Sequence, residues 1–416
     1  MKRIDLIQDT IDNQDIDNLI EWLKSYPRLT KGSKTIEFEN KWSEWLGSKY
    51  SIFVNSGSSA NLLMLYALKV LKRMKNNKVC VPTLCWATDL SPVLQFDMEP
   101  LLIDCNLDNL SVDLTHLEEV FKTEQPSVLL LVSVLGLSPD MDSIVELCKK
   151  YDVILLEDNC ESQGTKFKGT KLGNFGLMSS FSTYFGHTMS TIEGGVVSTN
   201  DEEIYNVLLQ LRSHGWDRDL SSEKQQELRK EWEVSDFSAL YTFYVPGFNL
   251  RSTDLQAQIG IKQLDKVDGM INNRYKNFLY YKSKLEHKTW FPKTFDDSYT
   301  SNFAIPFITK TIEDKEKLIT SILIDNKLVE VNSFNEIVYF KNLTYLNLKS
   351  SKIEKLDLSQ NTKLVTFLGG FSQFNDLILN NNPNLEFVQL KEDMKSHHAG
   401  NSAGEYQMLK EVLELG

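Results

Sequence analysis

The sequence predicts an α/β protein in which a mostly parallel central sheet is covered by helices on both faces. Three observations predict it. Short, continuous apolar runs recur between residues 50 and 200, at 52–54, 79–82, 100–104, 127–135, 153–157, 177–182 and 195–198. Runs without polar alternation mark strands buried on both faces, and amphipathic segments of helical spacing separate several of them. Small polar residues and glycines follow several runs directly, at the carboxyl ends of strands, where open α/β sheets bind their ligands.

The elements follow in order. Residues 1–50 read as helix and loop; Phe38, Trp42 and Trp45 fall at i, i+4 and i+7, a stripe that packs in the core. The segment that begins at Asp142 and ends at Lys149 and Lys150 reads as a helix opened by an acidic cap and closed by cations. Residues 255–285 are helical again. A strand over 303–308 and a helix over 313–324 begin a smaller C-terminal α/β domain. The texture then changes. Between 342 and 390 the chain repeats with a period of 21: Leu343, Leu364 and Leu385 align, as do Leu346, Phe367 and Val388, and Ile353 matches Phe374, Leu356 matches Leu377, and Leu358 matches Leu379. The spacing Ile353, Leu356, Leu358, Asn361 resembles a leucine-rich repeat. Little more than two units are present, fewer than a solenoid needs to bury its own core, so this piece leans on the rest of the protein or on a partner. In the tail, Met408, Val412 and Leu415 form one stripe of a short amphipathic helix. The resulting division is 1–255 for a large domain, 256–341 for the start of a small one, 342–392 for the repeat-like segment and 393–416 for the tail.

Composition narrows the function. The 416 residues are 41% hydrophobic and 25% charged, as in ordinary globular proteins, and the net charge of −12 gives a nucleic-acid role no electrostatic support. No run reaches the length of a membrane span, and the N-terminus lacks the apolar core of a signal peptide. The five cysteines (Cys80, Cys85, Cys105, Cys148 and Cys160) show no C-x-x-C spacing and read as small core residues of a reduced, cytoplasmic protein without a cysteine-rich metal site.

Five segments carry candidate chemistry. After the run 52–54, Gly57, Ser58 and Ser59 open a helix; a helix N-terminus with small residues is either a phosphate cradle or a plain cap. Trp86 follows a strand, where its ring either stacks on a flat ligand or fills the core. Asp158 and Glu161 end a very apolar strand; Asp158 holds a protonated ring nitrogen or caps a helix. Ser182 ends the run 177–182, and His187, a residue type that is usually structural when alone, lies in a polar, small-residue loop that leads to Gly194 and Gly195. Asn249, Arg251 and Asp254 lie where a loop enters a helix capped near Ser252 or Thr253.

In this order and spacing the five segments resemble the DegT/DnrJ/EryC1/StrS-type nucleotide-sugar aminotransferase family over residues 10–335. The resemblance implies fold type I and a pyridoxal 5'-phosphate or pyridoxamine 5'-phosphate cofactor. It assigns Gly57, Ser58 and Ser182 to the phosphate, Trp86 to the ring face, Asp158 to the ring nitrogen and Glu161 to the ring hydroxyl. Asn249 matches a residue that reaches the neighbouring subunit's phosphate, which implies a homodimer with shared active sites. One position departs. The family has lysine five residues after the serine of Ser182, and here that residue is His187; no lysine lies between Lys171 and Lys224. An imidazole cannot hold the cofactor covalently as a primary amine does.

The exchange resembles the sugar 3-dehydratase branch of the family, as do the run Ser213 to Arg218 and the run Thr191 to Gly195. That branch implies removal of the C3 hydroxyl from a nucleotide-linked 4-keto-6-deoxy sugar, GDP-4-keto-6-deoxymannose first, for dideoxysugar and O-antigen biosynthesis. His187 is the implied general base, and its ordinary pKa near neutrality suits two proton steps. A type of the branch that carries an iron–sulfur cluster on C-terminal cysteines does not fit, since no cysteine follows Cys160. The type recharged by L-glutamate does. Two other readings remain at this point: a transaminase or isomerase on the same scaffold, and a catalytically impaired scaffold that works through its repeat segment. The resemblance fades near Val331, before the repeat.

Overall fold

The computed structural model describes residues 9–286, 290–306, 308–309, 311–312 and 315, together with strand segments 345–347, 352–357, 366–369, 373–378 and 387–390. Ile7–Phe307 form one compact unit, and the strands beyond residue 308 belong to another.

In the first unit, α1 (Asn13–Leu23) and α2 (Ser33–Leu46) precede β1 (Tyr50–Val54). Then come α3 (Gly57–Val70), β2 (Lys78–Pro82), α4 (Ala87–Gln95), β3 (Glu99–Ile103), α5 (Leu114–Glu124), β4 (Val128–Val132), α6 (Met141–Lys150) and β5 (Ile154–Asp158). A short hairpin of β6 (Lys166–Phe167) and β7 (Thr170–Lys171) leads to β8 (Met178–Ser182) and β9 (Gly195–Thr199). Helices α7 (Glu202–Arg212), α8 (Ser222–Glu231), α9 (Asp236–Ala239) and α10 (Asp254–Leu285) follow. The sheet has the order β1-β9-β8-β5-β4-β2-β3. Only β9 runs against its neighbours. It returns from β8 through a loop, whereas parallel neighbours need a crossover, usually a helix.

The apolar runs are explained by burial on both faces. Within β4, Val128 and Leu130 pack with Leu63, Met64 and Leu68 of α3, while Leu129 and Leu131 pack with Phe121 of α5 and Ile144 of α6. The strand's two-residue alternation thus sends neighbouring apolar residues to opposite sides of the sheet. A third cluster joins Phe38, Trp42 and Leu46 of α2 to Ala257 and Ile261 of α10, with the Phe38 and Phe53 rings 4.6 Å apart. The N-terminus of α2 has no cap of its own, because Gly32 stands there. Asp254 supplies it from α10: its carboxylate accepts from the backbone of Gly32 (2.7 Å), Lys34 (3.2 Å) and Thr35 (2.9 Å) and from the Thr35 hydroxyl (2.8 Å).

Three expectations change. The cap of α6 is Asp140, whose carboxylate accepts from the Ser143 backbone; Asp142 lies inside the first turn and pairs with Lys168. Residues 303–306 form no strand. Their entry is tied down instead by the Phe303 N–H donating to the Leu135 carbonyl (2.8 Å) and by Arg274 donating to the Asn302 carbonyl (2.9 Å). The expected division at 255 falls at the start of α10, inside the first unit, because that helix buries a face against α2. The helix expected over 313–324 lies, apart from Lys315, outside the described residues, as does the tail 393–416.

The second unit contains β10 (Tyr345–Asn347), β11 (Lys352–Asp357), β12 (Thr366–Gly369), β13 (Gln373–Ile378) and β14 (Phe387–Leu390). Among the described residues its pairings are parallel, and their register follows the 21-residue spacing: Leu346 pairs with Phe367 and Phe367 with Val388, while Ile353 pairs with Phe374 and Leu356 with Leu377. Leu343, Leu358, Asn361, Leu364, Leu379 and Leu385 lie outside the described residues.

Candidate active site

The sheet topology brings three chain segments to one edge. Gly195, which opens β9, lies between Val54 at the end of β1 and Ser182 at the end of β8. The turn into α3 passes directly over this point. Ser56 caps the helix, its hydroxyl accepting from the Ser59 N–H at 3.1 Å. Gly57 is buried and Ser58 exposed at the first turn. A Cβ on Gly57 would come within 2.7 Å of the Ser182 Cβ and 2.9 Å of the Cys160 Sγ; one on Gly195 would meet the Ser56 carbonyl and lie 2.6 Å from the Gly57 nitrogen. Both glycines are therefore required by close backbone approach. The outcome is an exposed helix N-terminus beside the Ser182 hydroxyl, whose oxygen accepts only the Tyr184 N–H, at 3.3 Å, among the described residues. Unpaired N–H groups and the helix dipole favour an anion there.

Acids gather behind this cradle. Asp158 ends β5, 5% exposed, and accepts from the Cys160 N–H (2.8 Å) and from Asn61 Nδ2 (2.5 Å). No helix follows it, so the cap alternative is removed. Glu161 is part-buried and accepts from the Leu135 N–H at 2.6 Å; burial, with Asp158 nearby, raises its carboxyl above the usual range. Asp89, which the sequence reading did not single out, is fully buried and accepts from the Asn61 amide (2.9 Å) and from the Trp86 N–H (3.0 Å). Burial first, and Asp158 second, push its carboxyl far above the ordinary range. Among the described residues no lysine or arginine forms an ion pair with any of the three acids. Trp86 precedes α4 and is 72% exposed, which removes the core alternative and leaves its ring free to cover a ligand.

His187 stands at the same site. Its ring lies 5.2 Å from that of Phe303 and 6.4 Å from that of Tyr184, and its Nδ1 is shut off from solvent without a hydrogen-bond partner. Burial pushes the imidazole down to about 4; Asp158 opposes this and Arg274 adds to it. The expectation of a near-neutral pKa is thereby corrected: the imidazole is uncharged through the neutral range because its apolar surroundings disfavour the cation. Asn249 is exposed, with its side-chain oxygen accepting from Arg251 Nε at 3.0 Å. Within one chain it makes no described hydrogen bond to Ser58 or Ser182.

The residues present fit a pyridoxal or pyridoxamine phosphate. A dianionic phosphate suits the α3 N-terminus, and a protonated pyridine nitrogen suits a buried acid cluster that has no cation of its own. Among the described residues, no helix is long and apolar enough to cross a membrane.

The model of the DegT/DnrJ/EryC1/StrS aminotransferase family matches residues 9–362. The chain is 34% identical over 328 residues to a GDP-4-keto-6-deoxy-D-mannose 3-dehydratase of Yersinia pseudotuberculosis, covering 78% of this chain and 81% of that one. It is 31% identical over 389 residues to the enzyme of the same name from Escherichia coli O55:H7, covering 93% of each. Among solved structures, GDP-4-keto-6-deoxymannose-3-dehydratase with a trapped PLP-glutamate geminal diamine matches with a TM-score of 0.69 and 32% identity, over 77% of this chain and 83% of that one.

Proposed function

We propose, because this chain belongs to the DegT/DnrJ/EryC1/StrS aminotransferase family, that it is a pyridoxamine-phosphate-dependent 3-dehydratase of a nucleotide-linked 4-keto-6-deoxy sugar, GDP-4-keto-6-deoxymannose being the first candidate. The observation that carries the reading is His187: a neutral imidazole with a buried, unpartnered nitrogen, five residues after Ser182, where the family has its lysine. The similar enzymes support the substrate class, and the trapped glutamate adduct of one of them supports L-glutamate as the amino donor that recharges the cofactor.

In this reading Gly57, Ser58 and Ser182 hold the phosphate, Trp86 covers one ring face, Asp158 binds the ring nitrogen and Glu161 faces the ring hydroxyl. The cofactor supplies an amine for the sugar's keto carbon and a protonated ring that withdraws electrons. His187 does what its environment allows. Uncharged at neutral pH, it takes a proton without first having to lose one. The imidazolium so formed is disfavoured by the same burial. It therefore gives the proton up readily, and the departing C3 hydroxyl, adjacent to the reacting carbon, is the base that needs it. Without a lysine amine at this position the cofactor would be held noncovalently, so loss of the C3 oxygen as water, with the proton that His187 returns, is favoured over transfer of the amine to product.

Asn249, exposed in the single chain, belongs in this reading to the neighbouring subunit's phosphate site in a homodimer with shared sites. The five free cysteines agree with a cytoplasmic location. The test is an absorption spectrum of the purified protein with pyridoxal phosphate, before and after L-glutamate, followed by incubation with the GDP-linked keto sugar. Conversion of the aldehyde band to the amine band, no borohydride-trapped adduct, and a deoxygenated sugar that carries no amine are expected. An aminated product would establish transamination instead; no conversion and no sugar consumption would sink both enzymatic readings.

A further inference from the structure

Asp89 has no role in the reading above, yet it sits in a buried polar cluster beside Asp158. It lies in the first turn of α4 and is 0% exposed. Asn61, on α3 and 1% exposed, donates from one amide nitrogen to Asp89 Oδ1 (2.9 Å) and Asp158 Oδ2 (2.5 Å), while its own oxygen accepts from the Ser180 hydroxyl (2.5 Å). The amide is thus fully committed, with its orientation set by Ser180 on β8. The other Asp89 oxygen accepts the Trp86 N–H. The Asn61 amide nitrogen therefore lies between one oxygen of each acid and brings the two carboxyl groups together. One carboxyl group thereby ties the backbone of the ring-covering tryptophan to the acid that faces the ring nitrogen.

Two carboxyl groups that converge on one amide nitrogen, in a buried site without a cation, resist being ionised together; the pair shares one proton. Among the described residues, the groups that face Asp89 are Asp158 and Glu161, the thiols of Cys85 and Cys160, the Asn61 amide and the Trp86 N–H. None is a cation. His187, which feels Asp158, is itself held neutral. The proton therefore has to reside on one of the two acids. Asp89 is the deeper, and it has no access to a ligand, whereas Asp158 ends the strand at the ligand edge.

We propose that Asp89 is a positioning residue for the cofactor ring: it keeps its proton and donates it to Asp158, so that the pair presents a single negative charge, on Asp158, to the ring nitrogen. This rests on the cofactor assignment made above. The arrangement gives Asp158 a donor that holds its carboxylate in place, and it avoids a second buried charge that a single pyridinium could not balance.

Two variants test it. Asp89→Asn keeps a neutral side chain of the same shape with a donor for Asp158; Asp89→Ala removes the donor. The first readout needs no cofactor. The infrared difference between wild-type apoprotein and Asp89→Asn at neutral pH is expected to contain the carbonyl band of a buried carboxylic acid, lost in the variant. The second is the ring-nitrogen resonance of pyridoxamine phosphate labelled there with ¹⁵N. A protonated ring is expected in wild type and Asp89→Asn, and a shift toward the unprotonated ring in Asp89→Ala. Affinity for the cofactor should fall no more than about threefold in Asp89→Asn and at least about tenfold in Asp89→Ala, the cost of losing one hydrogen bond to a charged group. A missing acid band, or an unchanged resonance in Asp89→Ala, overturns the proposal. If wild type binds no pyridoxamine phosphate, the cofactor assignment fails and the ring-positioning claim with it, while the infrared arm still decides which acid carries the proton.

Discussion

Replacing His187 by asparagine should remove a measurable part of this protein's sensitivity to acid. In an unfolded chain a histidine titrates near 6.5, and in the folded site burial lowers the imidazole to about 4. The folded value lies below the unfolded one, so the unfolded chain takes up the proton first. Stability is therefore intact above the unfolded value and is lost as pH falls from there toward 4. The whole difference is worth about 3.4 kcal/mol, of which about 2.5 kcal/mol has been lost by about pH 4.5. The assay is urea unfolding of the apoprotein, wild type and His187→Asn, at about pH 7.5 and about pH 4.5, with the slope of each transition checked for constancy. The quantity read is the double difference. Loss of ring contact with Phe303 is independent of pH and cancels in it. A double difference under about 0.5 kcal/mol would refute the reasoning, because it would mean that water reaches the imidazole and that no neutral base is held ready at this position.

Two further outcomes follow from the geometry, and a third from the proposed homodimer. Gly57→Ala places a methyl group against Ser182 and Cys160. It should cost about 1–3 kcal/mol of stability and weaken cofactor binding more than tenfold, read by denaturation and by titration with pyridoxamine phosphate. Asp254→Ala leaves the Gly32, Lys34 and Thr35 N–H groups and the Thr35 hydroxyl without their acceptor. A loss of about 3 kcal/mol is expected in thermal or chemical unfolding, and Asp254→Asn should recover only part of it. Mixing inactive His187→Asn protein with inactive Asn249→Ala protein under exchange conditions should restore activity, because a mixed dimer with shared sites contains one intact site; a mixture that stays inactive removes Asn249 from the partner's site.

Much of the fold was legible because both faces of the sheet are covered. The run 127–135 has no polar alternation at its centre, and the strand found there, Val128–Val132, is buried throughout. The site was legible where chemistry interrupts apolarity: Asp158 ends a run, Gly57 follows one, and His187 occupies a position that the surrounding pattern reserves for an amine. What escaped depended on partners distant in sequence. Asp89 looks like an ordinary acid near a helix start until Asn61, Asp158 and Ser180 surround it, separated by 28, 97 and 119 residues along the Asn61 pairings. The capping of α2 by Asp254 spans 219 residues to Thr35, and no local signal announces it. The pKa of His187 could not be read either, since the polar loop that carries it gives no sign that Phe303 closes over the ring.

The repeat-like segment shows a different kind of limit. Its period came from spacing alone, and the register of five strands follows that period, with every pair offset by 21 residues. Where the family likeness ends is another matter. By its motifs the likeness fades near Val331, where the repeat-like segment begins to stand in place of the family's C-terminal part. The family model nevertheless runs to residue 362, and an alignment over 389 of 416 residues with the Escherichia coli enzyme leaves out too few positions to avoid the segment 342–390. Aligned span and local texture are separate properties. A chain can keep the length and order of its relatives while a stretch of it takes on a 21-residue rhythm that parallel strands can stack. The residues of the proposed site, from Gly57 to Asn249, all lie before that stretch. In the proposed function, conversion of pyridoxal phosphate by L-glutamate is the measurement that reads their competence, and sugar selectivity the one that bears on the repeat-like segment.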